Sequence, residues 1–388
     1  MRALVTDVHV RSGVAGLRAL GRAGIEVVAL GPRRSAAGLW SRHGTVQTVG
    51  PDVSVDVDGF AAAVVRGAER YGPLVVYPGQ EASIDAVVEA SSRTMAALLP
   101  YPGGGELEAL RDKSLLPPLA EEAGLTAPRT LVETTPAELD GRRLPMPCVV
   151  KRTRLGGHAR ARMVQSPGEL RAMLGKLPRD ERVLIQQHVR GPLIGLAIVV
   201  DRSGGVVARL QQLALRTWPE AGGSSLAVST APDEKLTQSA ARLLSSVGYW
   251  GLAQLQFIET DREYVLIDVN TRFYGSMPLA LASGVNLAAA WHAVVVDSPR
   301  PATPSGYRTG VSYRSLRHEL AAAVHGSPGL LLRRAPRPTS GALWARDDPV
   351  PSALLTAQTM SAPLGRRLLR RISLMRPRLT STESETWN

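Results

Sequence analysis

A chain of 388 residues with 46 Lys+Arg against 34 Asp+Glu, a net +12, and 44% hydrophobic residues has room for two or three folding units of roughly 100 to 200 residues. It lacks the low hydrophobicity that leaves a chain disordered. Its only cysteine, Cys148, excludes an internal disulfide framework and a cysteine-based zinc site and points to a cytoplasmic protein. Even the apolar run Leu193 to Val200 falls well short of the ~18 residues that a membrane span requires, and the amino-terminal MRALVTDVHV lacks the apolar core of a signal peptide.

The charge is unevenly spread. Lysine occurs only at Lys113, Lys151, Lys176 and Lys235, against 42 arginines, so each lysine marks a position to inspect. From residue 300 onward there are 14 arginines and 5 acidic residues, and the rest of the chain is nearly neutral.

In chain order, residues 2 to 8 read as a buried strand, residues 13 to 23 as a Gly- and Ala-rich helix, and Ile25 to Leu30 as a second strand. This is a βαβ opening, but Gly13 and Gly16 give only part of a dinucleotide fingerprint and no acidic residue follows Leu30, so NAD binding is not supported. The strand Pro73 to Tyr77 ends at Pro78-Gly79-Gln80 and leads to a helix from Glu81 to Ser91. In open α/β sheets, ligands collect at such carboxyl ends. After Pro102 to Gly105, a helix around Leu107 to Leu110 meets Asp112-Lys113, and a second runs from Ser114 to Ala123, stopped by Gly124 and Pro128. Strands are expected at Cys148 to Lys151, near Arg162 to Gln165, at 182 to 187, and at 195 to 201 and 205 to 212, with a turn at Ser203-Gly204-Gly205. An amphipathic helix at 234 to 247 precedes strands Leu252 to Ile258 and Tyr264 to Val269 and a helix from Leu287 to Val296. Beyond Pro299 the chain is Pro- and Arg-rich, with six arginines between Arg366 and Arg378, and Thr380 to Asn388 reads as disordered.

The strongest chemical signal is QFIETDREYVLIDVNTRFYGS, residues 256 to 276. Asp268 and Asn270, two apart, share one strand face, and Gln256 stands on the preceding strand. Three oxygen-bearing side chains converging from a hairpin suit Mg²⁺, which prefers oxygen ligands and takes the balance from phosphates. Arg272, two residues further on, offers a planar fork for phosphate or carboxylate. Lys151 ends the apolar run Cys148-Val149-Val150 and is followed by Gly156-Gly157-His158, a lysine beside a glycine loop that suits phosphates. The strand to Gln187 followed by Val189-Arg190-Gly191 is a candidate purine hinge. Residues 216 to 225 read as a Gly-rich loop with Arg216 at its start, fit for a substrate or phosphate. The seven histidines show no metal-ligand spacing, and no G-x-S-x-G elbow is present.

Taken in order, Asp112-Lys113, G-L-T-A-P at 124 to 128, P-C-V-V-K at 147 to 151 with its glycine loop, V-L-I-Q-Q-H-V-R-G at 183 to 191, the G-G-S-S loop, D-V-N-T-R-F-Y-G-S, and A-S-G-V-N at 282 to 286 resemble the ATP-grasp superfamily. Within it the chain is most similar to the carbamoyl-phosphate-synthase-like carboxylate–amine ligases, over residues 105 to 295. The resemblance implies an N-terminal Rossmann-like α/β domain (1–104), a first ATP-grasp subdomain (105–190), a second subdomain with the Mg-ATP site (191–310) and a basic C-terminal region (311–388). It implies that Lys113, Lys151, Gly156 and Gly157 hold nucleotide phosphates and that Gln186, Gln187, His188 and Val189 form the adenine hinge. Gln256, Asp268 and Asn270 would hold Mg²⁺, with Mn²⁺ as an alternative, and Arg272, with Lys151 and Arg216, would serve the transferring group. The implied reaction joins a small carboxylate to an amine at the expense of ATP.

Three departures stand out. The metal pair begins with Asp268 where the family usually has glutamate, Gln256 replaces an acidic ligand, and Pro192-Leu193-Ile194 stand where a ribose-binding acid is expected. The rival class is a non-catalytic nucleotide- or nucleic-acid-binding protein using the basic tail, although an aromatic content of 4% disfavours single-strand stacking. Arg366 to Arg378 also suits an acidic carrier protein or an anionic surface. The oligomeric state is open, a dimer included.

Overall fold

The computed structural model describes residues 1–139, 143–153, 161–217, 224–299, 306–316, 318–319, 339–341 and 344–360. Its amino-terminal sheet contains β1 (Arg2–Val5), β2 (Val27–Gly31), β3 (Val46–Val49), β4 (Leu74–Tyr77) and β5 (Ala97–Leu98), all parallel in the order β3-β2-β1-β4-β5. The two-residue side-chain period feeds two cores from one strand. Ala3 and Val5 pack with Val14, Leu17 and Leu20 of α1 (Arg11–Arg22), whereas Leu4 packs with Phe60 and Val64 of α2 (Val57–Tyr71) and Val87 of α3 (Ile84–Arg93). Burial on both faces is why these strands read as unbroken apolar runs. Asp56 starts α2 by accepting from the Gly59 amide at 2.8 Å, a cap that sequence periodicity alone did not single out.

Helices α4 (Gly104–Arg111) and α5 (Leu116–Glu122) lead to an antiparallel sheet of β6 (Thr130–Thr134), β7 (Cys148–Arg152), β8 (Arg162–Val164) and β9 (Val183–Gln187), in the order β6-β9-β7-β8. Cys148, Val150, Val183 and Ile185 point into a small core with Leu170 and Leu174 of α6 (Pro167–Leu174). Val149, Lys151 and Gln186, on the alternate positions, line a cleft.

The third sheet has seven strands, β10 (Leu193–Val200), β11 (Val206–Thr217), β12 (Ser224–Ser229), β13 (Gly251–Glu259), β14 (Tyr264–Asn270), β15 (Ser312–Arg314) and β16 (Ser340–Gly341), ordered β14-β13-β10-β11-β12-β15-β16. Leu255, Phe257 and Val269 share a core with Leu236, Leu243 and Leu244 of α7 (Glu234–Ser246) and with Leu287 and Trp291 of α9 (Leu287–Val295), which follows α8 (Met277–Ser283).

Two expectations change. Arg216 is a strand residue, because β11 runs to Thr217 and pairs Arg216 with Leu226 and Thr217 with Ser224; the intervening 218–223 lie outside the described residues. The chain beyond residue 310 is not a separate extension where it is described. Strand β15 pairs with β12 and β16 with β15, and α10 (Pro349–Met360) is tied to the amino-terminal domain. Asp348 accepts from Arg18 Nε at 2.8 Å, Ser41 Oγ at 2.8 Å and the Arg42 amide at 3.0 Å. Asp347 accepts from Arg22 at 2.6 and 2.8 Å and lies 3.0 Å from His43 Nε2. Acidic residues placed within an arginine-rich stretch thus act as anchors. Arg366 to Arg378 and Thr380 to Asn388 lie outside the described residues. Among the described residues, no single helix is long and apolar enough to cross a membrane.

Candidate active site

A cleft of about 1060 Å³ opens between the second and third sheets and extends to the β1–α1 turn. One cross-strand row of the third sheet forms its floor. Asp268 on β14 faces Gln256 on β13, Gln256 faces Gly195 on β10, and Gly195 faces Gln212 on β11. Asn270 faces Gln254 in the next row on the same side. The floor is open at Gly195 because a Cβ there would stand 3.1 Å from Gln212 Cγ, and Gln212 Oε1 in turn accepts from Ser276 Oγ at 3.1 Å.

Both lysines reach β14 from outside its sheet. Lys113, following α4 and only 4% exposed, is pinned through its backbone amide to Thr153 O at 3.0 Å. Its ammonium forms an ion pair with Asp268 and lies 3.4 Å from Val269 O. Lys151 Nζ donates to Ile267 O at 2.7 Å. Burial is the largest influence on Lys151 and Lys113 adds to it; Asp268 offsets them only in part, leaving the ammonium with a pKa of about 8. For Asp268, burial opposes ionisation, but the charge and hydrogen bond of Lys113, then Lys151 and Asn270, hold its carboxyl below the usual range.

The Lys151 value yields a prediction with a definite sign. An unfolded lysine titrates near ~10.4, so between about pH 8 and that value the unfolded chain binds more protons and the free protein gains stability as pH rises. The phosphate contact that the resemblance implies for Lys151 needs the charged form, so nucleotide affinity is expected to fall as pH rises through about 8, by up to about tenfold per pH unit. Lys151→Arg stays charged and flattens that profile. Calorimetric titration with ADP across pH checks both.

Arg272 is held from three sides. Its Nε donates to Glu81 Oε2 at 3.1 Å, Nη1 to Phe273 O at 3.0 Å and Nη2 to Asn270 Oδ1 at 3.3 Å. Asn270 Nδ2 donates to Asp268 Oδ2 at 3.0 Å, so a continuous chain runs from Glu81 to the carboxylate. Glu81 is itself fixed by Arg111 Nε at 2.9 Å, and Arg111 is clasped by Asp85 at 2.5 and 3.1 Å. Phe273 is wedged against α1, where a Cβ on Gly16 would lie 2.1 Å from its ring, and stacks on Tyr77 at 5.4 Å. Sequence reasoning found Arg272 and missed Glu81 and Arg111 as its supports. The only signal was the position of Glu81 just past a strand's carboxyl end.

At the far end of the cleft, Gln186 Nε2 donates to Pro128 O at 3.4 Å, while its buried Oε1, and the buried Nδ1 of His188, meet no partner. Gln187 and Val189 border the same space. Unsatisfied groups at a cleft wall are where a ligand edge can complete the hydrogen bonding. Arg216 also borders the cleft, but its Nη1 donates at 3.0 Å to Glu319, a carboxylate only 1% exposed that also takes Arg314 at 3.0 Å and Ser225 Oγ at 3.1 Å. Arg216 therefore fastens β11 to the segment after β15. Gly156 and Gly157 lie outside the described residues.

The donor set at Gln256, Asp268 and Asn270 fits Mg²⁺ in type: oxygen ligands, a single carboxylate, and the rest from phosphates. Among the described residues no group of three or more His, Cys, Asp or Glu could hold a metal ion.

Residues 195–318 match the family model described as "ATP-grasp in the biosynthetic pathway with Ter operon". The vancomycin B-type resistance protein VanB of Enterococcus faecalis is 26% identical over 235 residues, 54% of this chain and 67% of that protein. A D-alanine–D-alanine ligase of Corynebacterium aurimucosum is 27% identical over 225 residues, 52% of this chain and 61% of that one. The chain thus spans about half to two thirds of the length of the curated relatives it matches. Among solved structures, an L-amino acid ligase from Bacillus licheniformis superposes with a TM-score of 0.61 at 16% identity, over 80% of this chain and 78% of that one. N5-carboxyaminoimidazole ribonucleotide synthetase from Thermus thermophilus gives 0.60 at 20% identity, over 80% and 82%. The likeness is to the ATP-grasp superfamily, in sequence over residues 195–318 and in fold over 80% of the chain. Within it, the likeness is to the carboxylate–amine ligases.

Proposed function

We propose that the chain is an ADP-forming ligase that activates a small carboxylate as an acyl phosphate and joins it to an amine. One observation carries the reading: Lys113, Lys151, Asp268, Asn270 and Arg272 converge at the β14 edge of a cleft whose opposite end offers the unsatisfied Gln186 and His188. In this reading adenine lies along Gln186 to Val189 and the phosphates between the two lysines. The chain then divides as an amino-terminal α/β domain (1–104), two ATP-grasp subdomains (105–190 and 191–310) and a carboxyl-terminal region (311–388) whose β15 and β16 complete the sheet of the second subdomain.

A substrate carboxylate oxygen attacks the γ-phosphorus, the bond to the β-phosphate oxygen breaks, and ADP leaves. The amine nitrogen then attacks the acyl carbon, inorganic phosphate departs and the nitrogen gives up a proton, leaving an amide. No protein nucleophile is required, since phosphorylation itself activates the acid; the protein contributes position and charge. Lys151 and Arg272 face the charge that builds on the γ-phosphoryl oxygens, where preorganised donors act most strongly. Lys113, resting on Asp268 in the free chain, turns to the phosphates as they arrive. Mg²⁺, held by Gln256, Asp268 and Asn270, would neutralise phosphate charge in concert with the lysines.

Release of ADP, followed with pooled small carboxylic acids and amines, tests the reading. The expected result is turnover that depends on the acid and is lost in Lys151→Ala. Equal ATP turnover with and without the acid, or in both proteins, would contradict it.

A further inference from the structure

The end of the cleft beside Arg272 is built from groups that the reaction above does not use. Helix α1 starts at Arg11 with Val10 as its N-cap, no side-chain cap and no acidic residue in its first turn, so its amino end presents partial positive charge. Val10, Arg11 and Ser12 all border the cleft. Arg11 extends from this turn toward the third sheet, with Nη1 donating to Ser315 Oγ at 2.8 Å and Nη2 3.2 Å from His318 Nε2. Its guanidinium also lies alongside the backbone next to Tyr274, since a Cβ on Gly275 would be 3.8 Å from Nη2. Tyr313, whose hydroxyl donates to Gly275 O at 2.9 Å, closes the other side.

Tyr274 supplies the second, independent sign of a ligand. It borders the cleft two residues from Arg272 and is 3% exposed, and its hydroxyl meets no protein partner. Buried hydroxyls are normally hydrogen-bonded, and one left alone at a cleft wall is completed by what binds there. An arginine, a helix amino end and an unsatisfied hydroxyl converge on one chemistry, an anion rich in acceptor oxygens.

Building on the ligase reading, we infer that Arg11, the first turn of α1 and Tyr274 form a subsite for a second carboxylate, distinct from the one that is phosphorylated. Either substrate can carry that group: a dicarboxylic acid as the activated component, or an amino acid as the amine. The subsite borders the same cleft as Arg272.

A binding measurement that does not depend on turnover tests it. The full chain is titrated with succinate and with succinamide by calorimetry, in the presence of ADP and Mg²⁺ at fixed ionic strength. Succinate is expected to bind and succinamide not, and Arg11→Gln to raise the succinate Kd at least tenfold. Tyr274→Phe removes an oxygen that bonds nothing in the free chain, so folding is untouched and the succinate Kd is expected to rise severalfold. No succinate binding by the wild type, equal binding of the two ligands, or unchanged binding in both variants overturns the subsite. If Arg11-dependent succinate binding persists while no acid supports ADP release, the ligase reading falls and the subsite stands. ADP release with dicarboxylic against monocarboxylic acids, and with amino acids against their amides, then assigns the second carboxylate to one substrate or the other.

Discussion

Asp268→Ala is expected to lower acid-dependent ADP release by roughly two to three orders of magnitude, the scale of losing a preorganised charge-stabilising group. Two effects combine. The only carboxylate of the donor set proposed for Mg²⁺ disappears, and Lys151 loses the partner that props up its pKa, so its ammonium titrates below about 8. Removal also strands the Lys113 ammonium, 5% exposed against 29% for the Asp268 side chain. Because Asp268 opens onto the cleft, the stability loss belongs at the lower end of the range for breaking a buried pair, about 3 kcal/mol. Asp268→Glu keeps the charge and adds the methylene that the family usually has, and should retain activity to within about tenfold. ADP release and a denaturant melt on both variants separate the catalytic loss from the structural one.

The second large effect lies far from the chemistry. Arg18 and Asp348 pair at 2.8 Å with side chains only 6% and 2% exposed, and Asp348 also satisfies Ser41 and Arg42. Asp348→Ala leaves a buried guanidinium without its counter-charge, which costs about 3 to 5 kcal/mol and should lower Tm by on the order of 10 °C. Asp348→Asn, which keeps an acceptor for Ser41 and Arg42, should lose less. A Tm for Asp348→Ala within about 2 °C of the wild type would mean that α10 contributes little to holding the amino-terminal domain.

The floor of the site was legible because Asp268 and Asn270 stand two apart on one strand face with apolar Val269 between them, and Arg272 follows two residues beyond the end of β14. The scarcity of lysine drew attention to Lys113 and Lys151, and the structure brings both onto β14. Partners across long sequence separations left no local trace. Glu81 stands 191 residues from Arg272, and Asp348 stands 330 from Arg18. Arg216 read as a loop arginine because the glycines at 222 and 223 dominate the local pattern, whereas β11 and β12 close around it and Glu319 claims its charge. The basic carboxyl-terminal balance concealed a division of labour, since Glu319, Asp347 and Asp348 are ion-paired to arginines of the fold. A net charge reports how many ions a segment has, and only the packing reports which of them are already neutralised.

The central claim is that ATP is spent on making an acyl phosphate, and trapping with hydroxylamine tests it most directly. With ATP, Mg²⁺ and a pool of small carboxylic acids, hydroxylamine should intercept the mixed anhydride as a hydroxamate, with ADP and phosphate formed in equal amounts. Loss of the signal in Asp268→Ala and in the absence of acid would complete the expected result. ATP turnover without any hydroxamate, or release of AMP and pyrophosphate in place of ADP, would contradict the account.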